Sequence, residues 1–166
     1  MSDFKGFPKP LPKFFQDLAE NNSKLWFSEN KSDYENFVKQ PCIDFVNAMG
    51  ERLEALVPMI NAIPKVNKSL FKIHRDVRFS PNKLPFKTNM GLWFWEGTAK
   101  RMECSGFYFH VEGKQLMLGA GLYMLPKPLL ESYRNAVVHK KHGKRLPTIV
   151  KKLVKNGYTV GRKHYK

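Results

Sequence analysis

Between residues 10 and 57 apolar side chains return every three or four positions, and after Pro58 they begin to return every second position. That change of period predicts helices in the N-terminal third and strands beyond it. Phe14, Phe15 and Leu18 share one helical face, with Pro12 in the first turn and Asn22 as the stop. Ser23 is placed to cap a short turn carrying Leu25, Trp26 and Phe27, and Ser32 with Glu35 reads as a capping box. The stripe that follows, Tyr34, Phe37, Val38, Phe45, Val46, Met49, Leu53, Leu56 and Val57, is one face of a long helix with a kink expected at Pro41. Such a stripe is core, and this third of the chain is scaffold.

The first strand expected is Leu70–Ser80. Phe71, Ile73, Val77 and Phe79 fall on one face, Lys72, His74, Asp76, Arg78 and Ser80 on the other, and Arg75 on the apolar side. Further strands are expected at Gly91–Glu96, Cys104–Glu112 and Gln115–Met124, the last two joined in a hairpin through Gly113 and Lys114. Leu129–His139 and Leu146–Lys155 read as helices, and Tyr158–Val160 as the start of a last strand. Helices, then strands, then helices predict an α+β fold with N-terminal helices, a central antiparallel-rich sheet and C-terminal helices.

Composition narrows the setting. At 166 residues and 42% apolar content the chain is expected to be one domain, residues 1–166, with a core of its own. No run approaches the roughly 18 apolar residues of a membrane span. The start, MSDFKGFPKP, lacks the apolar centre of a secretory signal. Cys42 and Cys104, the two cysteines, sit among apolar neighbours without the spacing of a zinc site, so structural thiols in a reduced, cytoplasmic protein are expected. No metal and no cofactor is called for.

The net charge of +15 is uneven: residues 1–70 balance at 0, residues 71–126 carry +4 and residues 127–166 carry +11. A basic end of that kind suits nucleic acid, through an exposed stripe with Lys140, Lys141, Lys144, Arg145, Lys151 and Lys152. The same excess also fits a chain whose continuation past VGRKHYK supplies acids.

Candidate chemistry concentrates in RDVRFSPNKLPFKT, residues 75–88. Arg75, Arg78, Lys83 and Lys87 are cationic there, Asp76 is the only acid, and Ser80 and Thr88 add hydroxyls. Guanidiniums give paired donors to phosphate or carboxylate and lysine gives a mobile point charge, so the group suits a small anionic ligand. The alternative is structural: Asp76 pairs with an arginine and no ligand is involved, in which case truncating a buried pair costs about 3–5 kcal/mol. As an enzyme, the chain would use Asp76 or His110 for proton transfer, with Tyr123 as a polar wall. His110 follows Tyr108 by two residues, so both point to one face of the sheet. In the Gln115–Met124 strand Gly119, Gly121 and Tyr123 share one face, and the two glycines leave positions without side chains where a backbone or ligand can approach. HExxH, GxSxG, paired CxxC and the phosphate-cradling glycine loops are all missing.

NNSKLWFSENKSDYE, RDVRFSPNKLPFKT, GFYFHVEG and GAGLYMLP together resemble a family of bacterial and fungal proteins classified as a domain of unknown function. The resemblance covers nearly the whole chain. Its ordered motif is Arg-Asp-x-Arg-Phe-Ser, then Lys and Pro-Tyr-Lys-Thr, then Gly-x-Gly-x-Tyr-x-x-Pro. It implies that Arg75, Asp76, Arg78, Phe79, Ser80, Lys83, Pro85, Lys87 and Thr88 occupy the central motif, and it implies no reaction. Lys72 stands where the family is expected to have arginine, and Phe86 where it has tyrosine. Members also look longer at the C-terminus, which implies a chain lacking a final segment.

Overall fold

Packing of the helices against a sheet begins with the aromatic content of the N-terminal third. The computed structural model describes residues 4–161. The first three residues and the basic end from residue 162 onward lie outside the described residues. Two compact units divide the chain, residues 1–124 and residues 125–166. The fold is α+β, with helices before and after a four-stranded antiparallel sheet.

In the first unit, α1 (Pro10–Glu20) starts on Pro10, which fits a position whose N–H has no helical partner. It buries Leu11, Phe14, Phe15 and Leu18. Its stop is Asn21, whose backbone and side-chain N–H groups both donate to the carbonyl of Asp17. Ser23 caps α2 (Lys24–Glu29) as expected, its Oγ accepting from Trp26 N at 3.2 Å.

The capping box at Ser32 does not form. The helix α3 (Lys31–Asp33) already contains Ser32, whose Oγ accepts from Asn36, while Lys39 takes the Glu35 carboxylate at 2.7 Å. A π-helical stretch, Tyr34–Lys39, joins α3 to α4 (Gln40–Glu54) and ends with Gln40 N–H donating to the Glu35 carbonyl. The wide turn sits just before Pro41, which has no N–H to continue the ladder and whose ring crowds the preceding turn. Of the long stripe, Tyr34, Val38, Phe45 and Val46 are buried, and Leu56, at 79% exposure beyond the helix end, is not.

The sheet runs in order β1 (Ile60–Asn61), β2 (Met90–Glu96), β3 (Ser105–Glu112) and β4 (Gln115–Leu122). The expected hairpin closes with Glu112 opposite Gln115, and Gly113 takes the positive φ of 51° that the tight turn requires. One face carries Leu92, Phe94 and Val111 into the helical core, where Phe45 packs 4.5 Å from Phe109 between ring centres. The opposite face presents Trp93 and Trp95, packed with Cys104 and flanked by Phe71, Met102 and Tyr108. β4 is an edge strand without a charged residue, and Leu116, Leu118 and Leu122 on it are exposed.

Leu70–Ser80 is not a strand. Residues 73–75 pair only with residues 85–87: Arg75 N–H donates to Pro85 O and Lys87 N–H to Ile73 O, both at 2.8 Å. On the other side of Phe86 the ladder is taken over by one side chain. Asn22 accepts from Phe86 N and donates to Phe86 O, each at 3.0 Å, in the way an adjacent strand would. Phe86 itself is buried and stacks on Phe27 at 4.1 Å. The alternation of burial survives as far as Arg78, but Phe79 is 93% exposed.

The second unit holds α5 (Lys127–Val138) and α6 (Arg145–Lys155). His139 ends α5 by accepting at Nδ1 from the backbone of Lys141 and His142, both at 3.2 Å. Tyr158–Val160 forms no strand in the described residues. Among those residues no helix is long and apolar enough to cross a membrane.

Candidate functional site

The cationic segment divides into a loop tip and a stem. At the tip, Arg78 clamps Asp76 through Nε–H to Oδ1 at 2.9 Å and Nη2–H to Oδ2 at 2.6 Å, with its backbone N–H adding 3.3 Å to Oδ1. These donors hold the Asp76 carboxyl down at about 2, so it is a carboxylate throughout the neutral range. Both side chains stay largely exposed. Lys83 donates to the Val77 carbonyl at 2.9 Å, and Asn82 turns back on Leu84 N, so the tip is closed by its own hydrogen bonds. Arg75 is half-buried and makes no ion pair among the described residues. Ser80 stands at the same tip.

Lys87 belongs to the stem, and the fold carries it elsewhere. Its ammonium stands 5.7 Å from the centre of the Phe71 ring, half-buried and with no carboxylate partner among the described residues. Burial lowers its pKa. Here a pocket of about 630 Å³ opens over the glycine-bearing face of the sheet. Gly91, Gly119 and Gly121 form its floor, Phe71, Trp93, Tyr108 and Tyr123 supply aromatic wall, and Lys87 and Asn89 are its polar lining. Arg75, Asp76, Arg78, Ser80, Lys83, Thr88 and His110 do not line it; of the residues singled out in the sequence, Lys87, Tyr108, Gly119, Gly121 and Tyr123 do.

The glycine at position 91 leaves room that the site uses. A Cβ there would stand 2.8 Å from the Tyr108 hydroxyl and 3.1 Å from the Phe71 ring. Phe71 is braced in turn by Arg101, whose guanidinium lies 4.7 Å from the ring centre and donates to the Lys68 carbonyl. Trp93 donates through Nε1 to the Arg101 carbonyl at 2.8 Å. Tyr108 donates or accepts at 2.9 Å with Nδ1 of His110, and burial together with Tyr123 raises its phenol pKa. Thr88 lies in a different groove, of about 600 Å³, shared with Lys13, Glu112 and Lys114.

Sequence reasoning missed Arg101, Asn89 and Glu112. Arg101 carries no local signal, since the fold alone brings it beside Phe71, whereas Asn89 follows Lys87 by two positions and lies just past the cationic segment. Glu112 did carry one, because Tyr108, His110 and Glu112 alternate along one strand. No group of three or more His, Cys, Asp or Glu side chains is arranged for a metal ion among the described residues.

Neither curated proteins nor solved structures provide a match to the chain. A family model does, over residues 11–166, and it takes in both the link between α1 and α2 that carries Asn22 and the segment that carries Lys87: the chain belongs to the conserved hypothetical protein family DUF2461.

Proposed function

We propose that the chain binds a small organic anion in the pocket over Gly91, Gly119 and Gly121. The observation that carries this reading is Lys87, a half-buried ammonium without a carboxylate partner among the described residues, set in an aromatic wall. A cation partly withdrawn from water attracts an anion more strongly than a solvated one does. The volume suits a small molecule, and the aromatic lining favours a ligand with a flat or apolar body attached to the carboxylate or phosphate. Lys87 and Tyr123 are the ligand contacts in this reading. Arg75, Arg78, Ser80, Lys83 and Thr88 serve the neighbouring loop and groove, and Asp76 orients Arg78. Two free, buried cysteines, Cys42 and Cys104, fit work in a reducing cytoplasm.

Thermal unfolding with benzoate, phenylacetate, phenyl phosphate, inorganic phosphate and neutral benzamide tests the reading. At about 100 times its dissociation constant an aryl anion stabilises the protein by about 2.7 kcal/mol. The expected pattern is stabilisation by aryl anions, little from phosphate or benzamide, and none in Lys87→Met. Equal responses in Lys87→Met and wild type would remove Lys87 from the site and the proposal with it.

Polyanion binding by the second unit is a separate reading. Lys140, Lys141, Lys144, Arg145, Lys151 and Lys152 are all exposed and none is in an ion pair among the described residues. Oligonucleotide affinity that falls steeply between 50 and 200 mM salt, by about 10³-fold or more, is its signature.

A further inference from the structure

Tyr108, His110 and Glu112 occupy alternate positions of β3 and stand in a row on the pocket side of the sheet. The Tyr108 hydroxyl is 2.9 Å from Nδ1 of His110, and Nε2 of the same ring is 3.3 Å from the Glu112 carboxylate. With a neutral imidazole, one arrangement of hydrogens satisfies both contacts. The Glu112 carboxylate has no hydrogen to give, so Nε2 carries the proton and Nδ1 accepts from the phenol. The row also runs from shelter to water. Tyr108 lines the ligand pocket, the His110 side chain is 19% exposed, and Glu112, at 53%, opens into the other groove.

We propose that this row is a proton relay and that Tyr108 is the catalytic residue of the pocket, removing a proton from the bound organic anion. The inference rests on the binding reading above. As the bond from substrate to hydrogen breaks, a new O–H bond forms on Tyr108. The phenolic hydrogen already present passes to Nδ1 of His110, leaving an imidazolium beside the Glu112 carboxylate. The substrate gains one negative charge, beside the Lys87 ammonium, and no electron is transferred to or from the protein. The proton then returns to the substrate at another atom or leaves to water through the Glu112 groove. Each pKa unit by which the substrate proton exceeds the relay costs about tenfold in the equilibrium. The substrate class is therefore an organic anion whose proton lies next to a carbonyl, the commonest way in which carbon-bound hydrogen becomes acidic.

The surroundings suit a concerted transfer rather than a standing phenolate. Across the sheet from His110 are Gly91 on β2 and Met117 on β4, neither of them charged. Tyr123 and Lys87 are the other titratable groups lining the pocket, and burial with Tyr123 raises the phenol pKa. Tyr108 thus keeps its proton until one arrives.

The test uses the full chain and 4-(fluorosulfonyl)benzoate, an aryl anion that reacts with activated phenols. The Tyr108 oxygen bonds to sulfur, fluoride leaves, and the phenolic proton passes to His110. Mass spectrometry is expected to find Tyr108 modified ahead of the other five tyrosines, at least tenfold more slowly in His110→Gln and more slowly in Glu112→Gln. In the unmodified wild type, long-range ¹H–¹⁵N NMR is expected to show His110 protonated at Nε2, a readout that needs no ligand and no variant. A proton on Nδ1, or Tyr108 modification unchanged in His110→Gln, overturns the relay. Failure of the binding reading looks different: neutral benzenesulfonyl fluoride then labels as fast as the charged reagent and Lys87→Met changes neither, while dependence on His110 still decides the relay.

Discussion

Adding one methyl group at each of two glycines on the same sheet face separates a local clash from a structural one. In Gly91→Ala the new Cβ stands 2.8 Å from the Tyr108 hydroxyl and 3.1 Å from Cε2 of Tyr108 and Cδ2 of Phe71. These are ring atoms, and a swing of a few tenths of an ångström relieves them at the expense of the 2.9 Å contact to His110. Overpacking of this kind costs about 1–3 kcal/mol, and the mobility of the ring tips puts Gly91→Ala at the lower end, about 1–2 kcal/mol. In Gly106→Ala the Cβ stands 2.1 Å from the carbonyl oxygen of Phe94 and 3.1 Å from its carbon. Phe94 is paired in register with Phe107, so no rotamer change helps and β2 must part from β3. The loss is expected to reach about 4 kcal/mol or more, the range of exceptional single substitutions. Urea unfolding measures both, and sulfonyl labelling of Tyr108 in Gly91→Ala should fall while the fold persists. A Gly106→Ala variant as stable as wild type, or a Gly91→Ala variant as damaged as Gly106→Ala, would refute the reasoning.

Three further outcomes follow from the geometry. Burial holds the Lys87 pKa below its unfolded value, so the unfolded chain binds protons more readily and this group's contribution improves as pH rises towards 10.5; Lys87→Met should therefore melt higher than wild type near neutrality, with the gap closing in alkali, as differential scanning calorimetry would show. For Asp76 the folded value is depressed to about 2, so its contribution is present above the unfolded carboxyl value and vanishes as pH falls through about 2; Arg78→Ala should return the carboxyl signal towards normal in a ¹³C titration and leave the neutral melting temperature almost unmoved, because the pair is exposed. Asn22→Ala strips partners from both backbone groups of Phe86 and is expected to cost about 1–3 kcal/mol in urea unfolding, with Asn22→Asp similarly harmful because it keeps the acceptor and loses the donor.

The helices and the hairpin were legible because their evidence is local. Leu11, Phe14, Phe15 and Leu18 repeat at helical spacing, and Gly113 sits where two alternating runs must reverse. Leu70–Ser80 was misread for an equally physical reason: alternation reports burial, not who supplies the hydrogen bonds. Phe86 obtains its outer pair from Asn22, a residue 64 positions away that looks like a helix stop in the sequence. The cationic segment was visible as a cluster, but its division was not. Nothing in the string RDVRFSPNKLPFKT says that Arg78 and Lys83 close their own loop while Lys87 turns into an aromatic pocket with Tyr123. That Tyr108 and His110 share a face followed from strand alternation, though their hydrogen bond did not; carrying that alternation two residues further would have reached Glu112.

The uncharged edge strand β4 has a consequence for colloidal behaviour. As the last strand of the sheet, β4 lacks the lysines that normally discourage sheet-to-sheet joining, and Leu116, Leu118 and Leu122 on it are exposed. Keeping copies apart then falls to long-range repulsion from the +15 net charge of the whole chain. That protection is conditional on the medium, since about 0.1 M salt screens charges beyond roughly 10 Å and alkali near the isoelectric point of about 9.9 removes them. Dilute salt and mild acidity are therefore the conditions expected to keep this protein dispersed, and a bound polyanion, by cancelling the charge, would bring copies together.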